Sequence, residues 1–434
     1  MRGLKHLRIS QARLEGQKES SDLGYQNGSI RQKEGAWPWR ISTDLIILNI
    51  PQPSEYTNGL DPHAHGFYSS QLWGYRTRRP QLTTTSPMPA VSAPAKVLVT
   101  GASGFIAVWV CKTLLDQGYH VVGTVRSKSK GEYLQNLFEK DHGKDKFTFI
   151  IVADMQEEGA FDKAVVGVDA VEHTASPVTI MADDPQELIQ PAVKGTIGVL
   201  ESIQKHAPNV KRIVITSTLG SIIHDKGSNK LFDETDWNTT SPREVEEKGR
   251  DATGMHKYRT SKVMAERAAW DFVDKNKTTF DLVTVCPPMV FGPVIHDVSS
   301  PAAFNTSMAS FMSHTTPGQQ GDLLGAAGSW VDVRDLASIH AWALSNPAAG
   351  GERFIACAGA YTMQGVLDVL HKEKPGRTDV PIGTPGKPTP GRTELDGVVF
   401  SSAKAQRVFD MKFRSLAEMA PDALQSLKDK GLRD

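Results

Sequence analysis

The chain has 434 residues, and its 49 lysines and arginines balance 49 aspartates and glutamates, so the formal net charge is zero. This balance gives no electrostatic reason to expect a nucleic-acid partner or an acidic membrane surface. With 39% hydrophobic and 23% charged residues the composition is globular, and no apolar run approaches the roughly 18–20 residues that a membrane span needs.

The three cysteines, Cys111, Cys286 and Cys357, have neither the spacing of metal ligands nor that of a redox pair. Each lies in an apolar stretch, which favours buried free thiols in a reducing compartment. The sequence therefore predicts a cytoplasmic protein, and no motif in it predicts a metal site.

Residues 1–90 differ from the rest of the chain. They show no sustained helical or strand periodicity and are rich in Arg, Ser, Thr, Gln and Pro. We expect the folded part to begin near Met88, and interpret residues 1–90 as a disordered leader or a mis-assigned start.

From Ala93 onward, apolar strands alternate with helical segments. Strands are predicted at 96–100, 120–125, 147–152, 170–174, 212–216 and 281–285, with long helices at 188–206 and 258–275. This alternation predicts an α/β fold, a doubly wound parallel sheet of the Rossmann type over 91–293. The looser pattern of 294–434 predicts a smaller mixed α/β substrate lobe, with some segments returning to the first domain.

A glycine-rich turn, Gly101-Ala102-Ser103-Gly104-Phe105-Ile106-Ala107, follows the first strand and opens the first helix. Gly101 supplies the backbone angles of the turn, and Gly104 lets the backbone approach a pyrophosphate. The N-terminus of the helix offers free N–H groups to that anion. The turn therefore predicts a dinucleotide site that includes Gly101, Ser103, Gly104, Phe105 and Ile106.

The end of the second strand decides which dinucleotide is expected. It carries Arg126-Ser127-Lys128-Ser129-Lys130, with no acid before Glu132. Guanidinium and ammonium groups suit a 2′-phosphate, so Arg126 and Lys130 predict NADP(H). The alternative is a solvated basic loop. Past the third strand, Asp154 and Met155 are candidates for the adenine edge, with a simple helix cap as the alternative for Asp154.

Tyr258 and Lys262 are four residues apart on a predicted helix, so the phenol and the ammonium share a face. A lysine charge near a phenol lowers its pKa from about 10, which makes proton donation feasible near neutral pH. The fifth strand ends in Thr216-Ser217-Thr218, whose hydroxyls are placed to bond a substrate carbonyl oxygen. The alternative for the Tyr–Lys spacing is a surface pair.

Two further residues have plain structural interpretations. His173, at a strand end, is expected to be a hydrogen-bonded packing residue rather than a base. Asp335, before Leu336-Ala337-Ser338, is expected to be a helix N-cap, with Arg334 either as its partner or as a tie within the C-terminal lobe.

Thr100-Gly101-x-x-Gly104-x-x-Ala107 followed by Tyr258-x-x-x-Lys262 resembles the extended short-chain dehydrogenases/reductases. Further stretches are similar to the dihydroflavonol reductase and cinnamoyl-CoA reductase branch, among them His173-Thr174-Ala175-Ser176-Pro177 and Pro287-Pro288-Met289-Val290-Phe291-Gly292-Pro293. Ala265-Glu266-Arg267-Ala268-Ala269-Trp270 is similar to the fungal methylglyoxal and aldehyde/ketone reductases. The resemblance covers about residue 93 to the C-terminus.

The resemblance implies NADPH-dependent reduction of a small-molecule aldehyde or ketone by a monomer or homodimer. Tyr258 would donate the proton, Lys262 would bind the nicotinamide ribose, and Thr218 would supply the hydroxyl. Many relatives have Ser at the position of Thr218, which leaves Ser217 as the alternative. The other implied contacts are Thr174, Ala175, Thr216, Pro287 and Val290 for the cofactor, and Val178 and Met289 for the substrate.

Two other functions remain open from the sequence. An NAD-dependent nucleotide-sugar epimerase or dehydratase shares the fold and both motifs, but Arg126 without a nearby acid opposes permanently held NAD. A non-catalytic NADP-binding sensor is the other alternative, and the complete Tyr258/Lys262 pair opposes it.

Overall fold

The computed structural model describes residues 90–176, 182–225, 231–300, 303–318, 326–385 and 398–433. The predicted leader, residues 1–90, lies outside these ranges apart from Ala90, and so does the predicted substrate contact Val178.

A seven-stranded parallel sheet lies at the centre of the described chain. The strands are β1 (Lys96–Thr100), β2 (His120–Val125), β3 (Phe147–Ile151), β4 (Ala170–His173), β5 (Arg212–Thr216), β6 (Leu231–Phe232), β7 (Asp281–Cys286), β8 (Met289–Phe291), β9 (Ala327–Asp332), β10 (Arg353–Ile355), β11 (Gly359–Thr362) and β12 (Val399–Phe400). The central sheet has the order β10-β7-β5-β4-β1-β2-β3, with every neighbouring pair parallel. The predicted doubly wound sheet is confirmed, and all six predicted strands belong to it.

Helices connect and cover these strands. They are α1 (Phe105–Asp116), α2 (Lys128–His142), α3 (Gln186–His206), α4 (Thr240–Lys248), α5 (Gly254–Asn276), α6 (Thr306–Thr315), α7 (Val333–Ser345), α8 (Met363–Glu373), α9 (Ala403–Phe409) and α10 (Leu416–Asp429). Among the described ranges, no helix is long and apolar enough to cross a membrane.

The strand period places alternate residues of the sheet in two separate cores. On β1, Val97 and Val99 pack in the cluster that contains α1 and α7, whereas Leu98 packs in the cluster that contains α3. All three side chains are fully buried. Successive side chains of a strand point to opposite faces, so the apolar run on β1 fills both layers.

The chain after β7 consists of short mixed elements, as the sequence predicts. Strands β8 and β9 pair in parallel and β9 and β11 pair antiparallel, while β6 and β12 form a small parallel pair. Strand β10 instead joins the edge of the central sheet beside β7. The predicted domain boundary at residue 293 stays a prediction.

The N-cap of α7 differs from the expected one. Asp332, not Asp335, accepts the hydrogen bond from the backbone N–H of Arg334 and caps the helix. Asp335 lies in the first turn, where its carboxylate accepts from the backbone N–H of Arg414 at 2.7 Å. Arg334 pairs with Asp332 and Asp422. The prediction of Asp335 as the cap was wrong, because Asp332 and Asp335 both precede helical residues and aspartate favours the N-cap position at either place.

A buried arginine ties the sheet to the end of α7. Arg212 on β5 is fully buried, and its Nε and Nη2 donate to the two carboxylate oxygens of Asp281 at 2.7 and 2.8 Å. Its Nη1 donates to the carbonyls of Ala343 and Asn346 at 2.6 and 2.7 Å. These carbonyls lie at the C-terminal end of the helix, where a positive charge is favourable.

We expect Asp281→Ala to lower the free energy of unfolding by about 3–5 kcal/mol, because it leaves the Arg212 guanidinium buried without its counter-ion. Urea unfolding at neutral pH measures the change. Asp116→Ala is the matched control, because Asp116 pairs with Lys112 at the surface and such a pair contributes only about 0–1 kcal/mol. An equal loss in the two variants would contradict the role of the buried pair.

Candidate active site

The glycine-rich turn adopts the geometry that the sequence predicts between β1 and α1. Gly101 has a φ of 64°, in the left-handed region that favours glycine. A β-carbon there would lie 3.1 Å from the Cα of Ala175, so the close approach also needs glycine. No side chain caps α1 at Gly104, and its first turn contains no acidic residue. Its first N–H groups therefore suit an anion such as pyrophosphate.

The end of β4 is tied to this turn through Thr100. The Thr174 hydroxyl donates to the Thr100 carbonyl at 2.5 Å, and the Ala175 backbone N–H donates to the Thr100 hydroxyl at 3.1 Å. The Thr100 hydroxyl also bonds Nδ1 of buried His173 at 2.9 Å. Burial, with the nearby charge of Lys262, lowers the pKa of His173 to about 3. His173 is thus a neutral, hydrogen-bonded packing residue, as predicted.

The basic end of β2 is only partly free. Arg126 is exposed, and within the described part of the chain it has no hydrogen bond or ion pair. Lys130 donates to both the carbonyl and the carboxylate of Asp297 at 2.9 Å. Glu132, the first acidic residue after β2, forms an exposed ion pair with Lys128.

Asp154 and Met155 follow β3, as predicted. The Asp154 carboxylate accepts from the backbone N–H of Gln156 at 2.8 Å. The Met155 side chain packs on α3, where a β-carbon at Gly195 would lie 2.2 Å from its Cε. The adenine contact of both residues stays a prediction.

Helix α5 presents Tyr258 and Lys262 on one face. The Lys262 Nζ lies 5.6 Å from the centroid of the Tyr258 ring, and Lys262 donates to the Ser176 hydroxyl. Lys262 is only 8% exposed. A surface pair is therefore excluded.

The environment of Tyr258 differs from the expectation. Burial raises its pKa, and a hydrogen bond from Thr218 and the charge of Arg259 offset this only in part. The prediction of a phenol pKa lowered by Lys262 was wrong, because the desolvation of the phenolate outweighs the nearby charges. Burial also lowers the pKa of Lys262 to about 8.

The three hydroxyls at the end of β5 have different partners. Thr216 bonds Nε2 of His340 at 3.2 Å, and Ser217 donates to Glu266 at 2.5 Å. Of the three, Thr218 is the one whose hydrogen bond counteracts the rise of the Tyr258 pKa, and its hydroxyl also accepts from the backbone N–H of Gly220 at 3.1 Å. Sequence reasoning could not separate these hydroxyls, because their partners lie far away along the chain.

A buried ion pair fixes α5 against the sheet. Glu266 accepts from Nε of Arg353 at 2.8 Å, from Ser221 at 2.6 Å and from Thr284 at 3.0 Å. Burial alone would raise the pKa of Glu266, but Arg353 and the serine hydroxyls hold it below its usual range. The carboxylate is therefore charged and fully bonded.

The remaining predicted contacts lie around β8. Pro287 and Val290 are buried and Met289 is half-buried. The Pro287 carbonyl accepts from the backbone N–H of Leu219 at 2.9 Å, which ties this segment to the turn after Thr218.

Sequence reasoning missed three residues that contact α5 or lie on it. Ser176, the partner of Lys262, follows β4 in a loop, where no periodic pattern singles out a residue. Arg353 lies on a strand of three residues, too short for a periodic signal. Arg259 occupies a variable position of the Tyr-x-x-x-Lys spacing, so no motif singled it out.

Comparisons with known proteins match most of the chain. The sequence model of the NAD dependent epimerase/dehydratase family matches residues 97–357. The chain is 36% identical over 350 residues to the ketoreductase azaE of Aspergillus niger, covering 77% of this chain and 98% of that protein. It is 33% identical over 350 residues to the NADPH-dependent methylglyoxal reductase GRE2 of Saccharomyces cerevisiae, covering 77% and 99%.

A solved structure agrees with these matches. The crystal structure of yeast methylglyoxal/isovaleraldehyde reductase Gre2 complexed with NADPH aligns with a TM-score of 0.68 and 32% identity. It covers 78% of this chain and 99% of that one.

We expect Lys262→Met to stabilise the protein near neutral pH. The native pKa of about 8 lies below the ordinary 10.5, so the buried ammonium costs on the order of 3 kcal/mol below pH 8. Between these two values the native state binds fewer protons than the unfolded chain. The wild-type stability therefore rises with pH, and the advantage of the variant vanishes above about pH 10.5.

Urea unfolding of the two proteins at pH 7 and at pH 10 measures this change. Lys112→Met is the control, because Lys112 is only half-buried and pairs with Asp116 at the surface. A difference between variant and wild type that does not change with pH would contradict the effect of burial on Lys262.

Proposed function

The chain belongs to the NAD dependent epimerase/dehydratase family, the extended short-chain dehydrogenases/reductases, and on that basis we propose that it is an NADPH-dependent carbonyl reductase. It reduces an aldehyde or ketone to an alcohol. The observation that carries the proposal is the half-buried phenol of Tyr258, which accepts a hydrogen bond from Thr218 and has the Lys262 ammonium 5.6 Å from its ring centroid. The names of the related ketoreductase and methylglyoxal reductase support the same chemistry.

The residues that would hold the cofactor lie at the carboxyl ends of the strands of the central sheet. The turn from Gly101 to Ile106 would bind the pyrophosphate, since its glycines leave room and the start of α1 offers N–H groups. Arg126, together with Lys130, would bind the 2′-phosphate. Thr174 and Ala175, held by Thr100, lie next to the turn, and Lys262 is placed to bind ribose hydroxyls. When bound, NADPH supplies the hydride that reduces the carbonyl carbon.

Tyr258 donates the proton in this reaction. Its raised pKa keeps the phenol protonated at neutral pH, which is the form that a donor needs before the reaction. The carbonyl oxygen becomes more basic as hydride adds to the carbon, so the proton passes to it from the phenol. The product has a new C–H and a new O–H bond, and the phenolate left behind is stabilised by Thr218 and the charge of Arg259.

Thr218, rather than Ser217, is the hydroxyl that we assign to the site. It contacts Tyr258, whereas Ser217 is buried and bonded to Glu266. Threonine keeps the hydroxyl, and its branched side chain restricts χ1, which helps to hold it in one orientation. Met289 is half-buried at the start of β8, and we assign it to the substrate site together with Thr218 and Tyr258. Cytoplasmic location, the oligomeric state and the domain boundary stay predictions.

We expect Tyr258→Phe to reduce turnover by about 10²–10⁴-fold, because it removes the proton donor. NADPH oxidation with a panel of aldehydes and ketones measures turnover, and fluorescence titration measures NADPH binding, which should be nearly unchanged. Tyr119→Phe is the matched control, since it removes a buried hydroxyl that donates to the carbonyl of Val91. A Tyr258→Phe variant with more than about a tenth of the wild-type rate would exclude Tyr258 as the donor.

We expect Arg126→Ala to weaken NADPH binding by about 10- to 100-fold, because it removes a charge-assisted contact to the 2′-phosphate. NADH lacks that phosphate, so its affinity should be almost unchanged. Titrations of both cofactors test this, with Lys128→Ala as the control because Lys128 already pairs with Glu132. Equal weakening of NADPH and NADH, or an equal effect of Lys128→Ala, would refute the phosphate contact.

A further inference from the structure

One cation beside the reacting groups has no partner in the proposed mechanism other than the phenol. Arg259 follows Tyr258 on α5 and is half-buried. Its Cγ lies 3.2 Å from the point where a β-carbon of Gly220 would be, and the γ-methyl of Thr218 lies 3.2 Å from the same point. The aliphatic stem of Arg259 therefore packs on the turn that carries Thr218, and glycine at 220 leaves the room for it.

The guanidinium of Arg259 differs from those of the buried arginines Arg212 and Arg353. Arg212 and Arg353 each have a carboxylate partner and further carbonyl acceptors. In the described ranges, no carboxylate pairs with Arg259 and no hydrogen bond reaches it. Burial lowers its pKa, and the one charge interaction that acts against this is with Tyr258. Partial loss of water around a cation that has no counter-ion is unfavourable, and a ligand that supplies a negative charge would offset it.

We propose that Arg259 binds a carboxylate of the substrate, so that the preferred substrates are oxo acids. The proposal rests on the proposed function and names the substrate class of the same site. A guanidinium offers two parallel N–H donors, which match the two oxygens of a carboxylate. Its single positive charge balances one negative charge.

The position of Arg259 sets where the carboxylate would lie. In the proposed mechanism Tyr258 and Thr218 would bond the carbonyl oxygen, and the stem of Arg259 packs on the turn that carries Thr218. A substrate held by both groups has its carboxylate on the α5 side of the reacting carbonyl. Holding the substrate at two points restricts its orientation, which favours the reactive geometry.

Arg259 also acts on Tyr258, because its charge opposes the rise of the phenol pKa. A role confined to the phenol would affect every substrate equally. Carboxylate binding affects only substrates that carry the acid, and it acts mainly on KM. The two roles are therefore separable by pairs of substrates that differ only in that group.

The experiment compares oxo acids with their ethyl esters. Phenylglyoxylate and 3-oxobutanoate are each paired with the ester and assayed with NADPH, using wild type, Arg259→Gln and Arg259→Lys. Arg407→Gln is the matched control, because Arg407 is exposed on α9. The wild type should prefer the acids, and Arg259→Gln should lower kcat/KM for them by about 10- to 100-fold, mainly through KM. The loss on the acids should exceed the loss on the esters by at least about 10-fold, because the esters report only the effect of Arg259 on the phenolate of Tyr258. Arg259→Lys should be intermediate on the acids.

Equal losses on acids and esters, or a wild type that prefers the esters, would overturn the proposal. If the wild type reduces no carbonyl compound with NADPH, the proposed function itself fails. Arg259→Gln should fold, and its Tm should not fall, because it removes a desolvated charge. Should it not fold, inhibition of the wild type by benzoate and by benzamide decides the question. Stronger inhibition by benzoate supports the carboxylate site, and equal inhibition overturns it.

Discussion

A buried carboxylate on α5 and a buried guanidinium on β10 hold the reacting side of the molecule in place. Glu266 bonds Arg353 on the edge strand, and it also accepts from Ser217 and Ser221, which lie on either side of Thr218. One carboxylate therefore fixes both the turn that carries Thr218 and the helix that carries Tyr258. Since charges attract strongly where water is excluded, the pair resists separation as long as both partners are present.

The other charges of α5 are treated differently. Glu266 and Arg353 are fully bonded, whereas Lys262 donates to Ser176 and Arg259 has no counter-ion in the described chain. The fully bonded pair meets the sheet at Thr284 and Arg353, whereas Lys262 and Arg259 belong to the group of side chains to which we assign the cofactor and the substrate. Glu266 and Arg353 thus stabilise the fold, whereas the burial of charge costs stability at Lys262 and Arg259, the residues that we assign to ligand binding.

The sequence predicts those parts of this arrangement that depend on neighbouring residues. The turn at Gly101 and Gly104 and the four-residue spacing of Tyr258 and Lys262 are local, so the sheet edge and the shared helix face were both predictable. Contacts between distant residues were not. Arg353 meets Glu266 across 87 residues, and Lys130 meets Asp297 across 167. The pKa of Tyr258 depends on burial by several elements at once. A prediction from the charge of Lys262 alone therefore gave the wrong direction for the shift of this pKa.

Tyr258, Lys262 and Glu266 follow one another at intervals of four, so they form a single stripe along α5. One inserted or deleted residue between 258 and 266 would turn part of this stripe by about 100°. Either the phenol would leave Thr218, or the carboxylate would leave Arg353. The fold therefore tolerates insertions and deletions only outside that stretch of nine residues. The same limit applies to the exchange of pocket loops with a relative.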